Sequence, residues 1–96
     1  MEAPRDIGFS DFSERVGKSF AVEVGGHRLA LLLGSAQVLP GSARPGGAFR
    51  LEFLGPVDPM LPQGTYPLAI DGDRFDIFIV PIGRDQEGTR YDAVFF

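Results

Sequence analysis

Side chains able to do chemistry are few in this 96-residue chain, and cysteine is absent. His27 is the single histidine, so no HExxH pair and no histidine-rich metal site can be built. It directly follows Gly25-Gly26, and we interpret it as a partly exposed residue beside a turn. No serine lies in a G-x-S-x-G context, and the glycines form no phosphate-binding loop. The sequence therefore favours a protein that is not an enzyme, with no cofactor and no metal.

Acidic side chains flank one glycine near the middle of the second half. Asp71 and Asp73 surround Gly72, but the further oxygen ligands and the bidentate glutamate of an EF-hand calcium loop are missing. Aspartate and glycine in this order are typical of a hairpin turn, because aspartate side chains accept hydrogen bonds from the following backbone. We interpret the triplet as a turn.

A second polar segment covers residues 83–88. It contains Arg84, and we interpret Asp85 as the start and Gly88 as the end of a turn. Loop tips also carry function in many proteins. If the protein were an enzyme or bound a small ligand at the mouth of a barrel, we would expect Asp58, Arg84 and Asp85 to line that mouth.

The charge of the chain limits its partners. The formal net charge is −4, and the nine Lys and Arg residues are scattered singly. Nucleic acids and anionic lipids require a basic surface, so we expect neither nucleic acid nor membrane as a partner. The N-terminus lacks the apolar core of a signal peptide, and the longest apolar run, 29–33, is too short to span a bilayer. We therefore expect a soluble protein located in the cytoplasm.

The last quarter of the chain organises the predicted fold. Two runs rich in β-forming residues, 75–82 and 89–96, flank the polar segment 83–88, which is the pattern of a hairpin. Residues 77–80 are all apolar, so this strand has apolar side chains on both faces. We expect one face to join the core and the other to be covered by something else.

Earlier segments alternate with a period of two and are separated by turn-forming residues. A narrow apolar stripe at helical spacing precedes them, and the sequence shows no internal repeat. We expect an all-β fold, a small six-stranded antiparallel barrel or sandwich with one short N-terminal helix, in a single domain 1–96. The expected parts are a flexible lead-in 1–8, a helix 9–17 and a β-domain 18–96 with strands 20–24, 27–38, 49–54, 65–70, 75–82 and 89–96, the second of them bulged at Gly34.

Three segments of the second half, GPVDPMLPQGTYPL, FDIFIVPIGRD and GTRYDAVFF, resemble a family of small uncharacterised bacterial domains about as long as this chain. The opening FSDFSERVGKSF is also similar to that family. The resemblance implies no activity, because the family has no established catalytic residues. Some members of that family are encoded near phage-tail-like collar proteins, so the resemblance implies a structural role.

A surplus of apolar side chains on the second face of the terminal hairpin suggests an interface, because exposed apolar faces are usually blocked or used for binding. We expect a non-enzymatic component that binds another protein chain, with further copies of itself as one option. The alternative is that the helix covers this face with Phe9, Phe12 and Val16. The predicted interface residues are Phe78, Val80, Ile82, Val94 and Phe96.

Overall fold

Six antiparallel strands close into a barrel in a computed structural model that describes residues 8–40 and 47–95. The strand order around the barrel is β1-β2-β3-β6-β5-β4. The all-β prediction with one short helix is confirmed, and the predicted lead-in, apart from Gly8, lies outside the described residues. The elements are α1 (Ser10–Ser13), β1 (Ser19–Val24), β2 (His27–Leu39), β3 (Ala48–Gly55), β4 (Gly64–Ile70), β5 (Asp73–Asp85) and β6 (Gly88–Phe95).

Strand β5 is longer than the sequence pattern predicted. Arg84 pairs with Thr89 and Asp85 pairs with Gly88, so the connection to β6 shrinks to the two residues 86–87. The predicted loop 83–88 was wrong because polar residues at an exposed hairpin tip can still form the ladder. Gly88 has φ +148°, and a Cβ atom there would overlap the carbonyl oxygen of Gly55, so only glycine fits this end of the turn.

The barrel consists of two similar halves, β1-β2-β3 and β4-β5-β6. The middle strands β2 and β5 have 13 residues each, and the outer strands β3 and β6 have eight each. Each middle strand pairs with two neighbours in turn, and its pairing with the second neighbour contains a register shift, at Gly34 in β2 and at Ile82 in β5. The absence of a repeat in the sequence was therefore misleading, because the halves share strand lengths and inward apolar positions with few residue identities.

Alternating side chains of every strand fill the interior. In β3, for example, Phe49, Leu51 and Phe53 are fully buried while Arg50 and Glu52 point outward. The aromatic and aliphatic residues from both halves form one continuous core. The barrel interior is therefore a packed core, as expected for so few strands.

The N-terminal helix closes one end of the barrel. Phe12 is fully buried there, and its ring lies 5.1–6.1 Å from the rings of four core residues. Those residues are Phe20, Phe49, Phe75 and Phe95. The helix is shorter than the predicted 9–17, and Gly17 at φ +91° lets the chain turn directly into β1. Asp11 accepts a hydrogen bond from the Gly8 backbone N–H at 2.8 Å, and Phe9 occupies the N-cap position without a side-chain cap.

Arg15, just after the helix, binds the turn between β4 and β5 and so holds the Phe12 plug in the barrel end. Arg15 donates from Nη2 to Asp73 Oδ2 at 2.6 Å, and its Nε lies 3.5 Å from Asp71 Oδ2. Its guanidinium also stands 5.7 Å from the centroid of the Phe75 ring. The two aspartates flank the turn as predicted, with Asp71 at φ +51°, and they also hold the helix in place.

We predict that Phe12→Ala lowers the free energy of unfolding by about 3–5 kcal/mol, because it leaves a ring-sized void among four other rings. The matched control is Val16→Ala in the turn that follows the helix, since Val16 is 45% exposed and should change stability by under about 0.5 kcal/mol. Chemical denaturation of both variants measures the difference. Equal stabilities would contradict the plugging role of Phe12.

Candidate functional site

The outer face of the β5–β6 hairpin carries the predicted interface residues. Ile77 and Ile79 of β5 are fully buried inside the barrel, so Phe78 and Val80 between and after them point outward. Ile82 is the residue skipped by the register shift between β5 and β6. Alternation from Phe78 and Val80 also assigns Ile82 to this outer face, and Ile82 lines the same groove despite the bulge.

These side chains form a groove rather than scattered exposed positions. Phe78 is 52% exposed, Ile82 48% and Val94 41%, while Val80 is half-buried. Together with Asp92 they line a surface groove with a volume of about 350 Å³. Four of the five predicted interface residues are thus brought together, and the side chain of Phe96 lies outside the described residues.

The helix does not cover this groove. Phe12 points into the barrel, Phe9 packs edge-on against Phe49, and Val16 remains largely exposed. The alternative that the helix stripe blocks the second apolar face is therefore wrong, because the open end of the barrel competes for the same side chains. Among residues 8–40 and 47–95, the groove stays open to solvent.

A network of ion pairs borders the groove on β6 and β3. Arg50 donates from Nη2 to Asp92 Oδ1 at 2.7 Å, and its Nη2 lies 3.6 Å from Glu52 Oε2. The hydrogen bond and the charge of Asp92 raise the pKa of Arg50 above its ordinary value. The carboxylate of Asp92 is therefore held toward β3, at the border of the groove.

Two of the three polar loop candidates, Arg84 and Asp85, make structural contacts. Asp85 accepts from the Glu87 backbone N–H at 2.9 Å and from Arg90 Nη1 at 2.9 Å, as the turn interpretation predicted. Arg84 lies 3.4 Å from the carbonyl oxygen of Val57, and Asp58 is exposed. Their contacts place Arg84 and Asp85 at the hairpin tip beside the loop that contains Asp58.

Leu61 closes the end of the barrel where those residues were expected to line a mouth. It is 3% exposed, and its backbone N–H donates to the hydroxyl of buried Tyr91 at 2.8 Å. Sequence reasoning missed this plug because Leu61 lies in a segment whose prolines are typical of a loop. The hydrophobic residue among the prolines was the available signal. A ligand site inside this mouth is disfavoured, because an apolar side chain occupies it.

The described residues contain no cluster of side chains suited to a metal ion. No group of three or more His, Asp or Glu side chains there is close enough to hold a metal ion. His27 is exposed at the start of β2, as predicted from its position beside the turn. Nor do residues 8–40 and 47–95 contain a helix long and apolar enough to cross a membrane.

The sequence pattern of a family described as a domain of unknown function (DUF6916) matches residues 7–95. The chain belongs to this family. The resemblance to small uncharacterised domains is confirmed at that level, and the match covers the helix, the barrel and the groove alike. No curated protein and no solved structure matches the chain.

We predict that Tyr91→Phe lowers the free energy of unfolding by about 1–3 kcal/mol, because the buried N–H of Leu61 loses its acceptor. Tyr66→Phe is the matched control, since the Tyr66 hydroxyl donates to the Pro62 carbonyl at an exposed position where water can replace it. Thermal and chemical denaturation would compare the two. An effect of Tyr66→Phe as large as that of Tyr91→Phe would contradict the role of Leu61 as the second plug.

Proposed function

We propose that the protein is a non-enzymatic interaction or assembly component that binds another protein chain through the groove formed by Phe78, Val80, Ile82 and Val94. The observation that carries the proposal is the concentration of large exposed apolar side chains in this one groove. Contiguous exposed apolar surface rimmed by polar residues is typical of interaction sites. A second copy of the chain is the simplest partner, because it needs no other component.

Phe78 is the natural anchor of such a contact. Its ring stands on a rigid strand between two buried isoleucines, so little side-chain freedom is lost when a partner covers it. When a partner covers the exposed half of the Phe78 side chain, the burial of apolar surface contributes about 25 cal/mol per Å² of favourable free energy. Aromatic anchors on rigid elements commonly dominate the energetics of an interface.

The groove can be only the centre of the contact. A stable interface buries roughly 800 Å² on each partner, more than four side chains expose. Neighbouring outward positions on β4 and β5 would supply the rim, and they include Thr65, which pairs with Phe78, and Asp76, which pairs with Pro67. A polar rim around an apolar centre is the usual anatomy of such interfaces.

The filled interior of the barrel also favours protein binding over a small-ligand or enzyme site. Phe12 closes one end and Leu61 the other, and the volume between them is filled by core side chains. A small-ligand site or an enzyme using Asp58, Arg84 and Asp85 would need a mouth that Leu61 occupies. Some members of the family that the chain resembles are encoded near phage-tail-like collar proteins. This supports a role as a part of a phage-tail-like assembly.

We predict that wild-type protein forms a larger species as its concentration rises and that Phe78→Asp abolishes it. A lost hot-spot residue costs roughly 2 kcal/mol or more, which is about thirtyfold in the dissociation constant. The control is Val38→Asp, because Val38 is 63% exposed on β2 and does not line the groove. Sedimentation velocity over a wide concentration range, with melting temperatures of all three proteins, measures the effect.

Two results together would overturn the proposal. The first is a wild-type protein that stays monomeric at every concentration. The second is affinity capture in which wild type, Phe78→Asp and Val38→Asp recover the same proteins in the same amounts. A loss of association by Val38→Asp equal to that by Phe78→Asp would place the interface elsewhere on the barrel.

A further inference from the structure

The barrel closes incompletely between β1 and β4. These strands share one residue pair, Ala21↔Ala69, whereas the matching closure between β3 and β6 runs from Phe49↔Phe95 to Gly55↔Thr89. Pro67, two residues before Ala69, has no N–H to donate, so the ladder cannot continue past it in the usual way. Pro67 therefore accounts for the weak pairing at this seam.

A groove of about 310 Å³ lies over this seam. Its lining combines small apolar side chains with two basic and one acidic side chain: Ala21, Pro67, Ala69, Glu23, Arg28 and Arg74. The groove is on the β1–β4 side of the barrel and shares no residue with the groove on β5 and β6. It is therefore a separate site from the proposed interface.

The lining residues occupy equivalent positions in the two halves of the barrel. Arg28 and Arg74 are each the second residue after the two-residue turn that opens the middle strand. Counted from the same turns, Ala21 corresponds to Pro67, and Glu23 corresponds to Ala69. The groove thus sits where the two halves meet symmetrically, with an arginine from each half.

Arg28 and Arg74 are both exposed, and neither has an ion-pair partner among the described residues. The contrast with Arg15, Arg50 and Arg90 is clear, since each of these lies within 4.0 Å of at least one carboxylate. The chain has more acidic than basic residues, so a shortage of carboxylates does not explain why these two arginines lack ion pairs. Two unpaired guanidinium groups on one groove are therefore available to an anion from outside.

We propose that this seam groove binds a small monocarboxylate. Guanidinium groups match carboxylates with paired N–H donors, so Arg28 and Arg74 would hold the charged end of the ligand. Ala21, Pro67 and Ala69 leave room for a short apolar part, because larger side chains in their places would fill the groove. Glu23 reduces the positive charge of the lining to a single unit, which suits one carboxylate better than a multiply charged anion.

The binding should be weak and sensitive to salt. Both arginines are exposed, so water and counterions compete for them, and the groove is at the small end of the range for ligand sites. The measurement therefore has to detect millimolar affinities and must separate a specific carboxylate from general ionic strength.

Titration of ¹⁵N-labelled wild-type protein with sodium butyrate tests the proposal, with butyramide as the matched uncharged ligand and sodium chloride as the ionic control. We expect saturable shifts of the Ala21 and Ala69 amide signals with butyrate alone. Arg28→Gln and Arg74→Gln should each weaken binding by about tenfold, which is the usual effect of losing one charge-assisted hydrogen bond. Arg84→Gln, on the opposite hairpin tip, should bind as wild type does.

Three results would overturn it. One is the absence of saturable shifts with butyrate, and another is an equal response to butyramide or sodium chloride. The third is unchanged affinity in both Arg28→Gln and Arg74→Gln when their spectra show a folded barrel. Because these substitutions are exposed and unpaired, loss of the fold is not expected to obscure the comparison.

Discussion

Closure of the barrel ends is the constraint on which the rest of the structure depends. The sheet supplies the wall and most of the core, but it leaves an opening at each end that an apolar side chain must fill. Phe12 fills one opening from the helix, and Leu61 fills the other from the loop between β3 and β4. Both residues come from segments outside the sheet, and each is held by a specific contact, through Arg15 in one case and Tyr91 in the other.

This use of the helix determines which surface is left for function. A helix of four residues has one apolar side to offer, and the barrel end takes it. The outer face of β5 and β6 consequently keeps its apolar side chains exposed, next to an ion-pair network in which Arg50 pairs with Asp92. With the interior filled, the outer surface is where a partner or a ligand can be met. The groove on β5 and β6 and the groove over the seam between β1 and β4 are two separate parts of that surface.

Local patterns in the sequence predicted the strands well. Alternation and runs of β-forming residues located all six, Gly25-Gly26 and Asp71-Gly72 gave two of the three two-residue turns, and Gly34 marked the irregularity in β2. Alternation also identified the outward row of Phe78 and Val80, because a strand with buried Ile77 and Ile79 must expose their neighbours.

What the sequence could not predict depends on distant contacts. The stripe containing Phe12 looks the same whether it docks on a face or plugs an end, since the spacing records only that it is apolar. Leu61 sits among prolines that indicate a loop and say nothing of what the loop touches. The unpaired arginines of the seam become visible only when Arg28 and Arg74, far apart in the chain, are found on one groove.

The central claim is that the β5–β6 groove is open in the single chain and covered in the assembly. Relaxation of side-chain NMR signals by a soluble paramagnetic probe tests it most directly, with dilute and concentrated protein compared. We predict strong relaxation of Phe78, Ile82 and Val94 in dilute protein, a marked loss of it at high concentration, and little effect on Phe12 in either sample. Protection of Phe78 and Val94 at every dilution would contradict the claim, because another part of the same chain would then cover the groove.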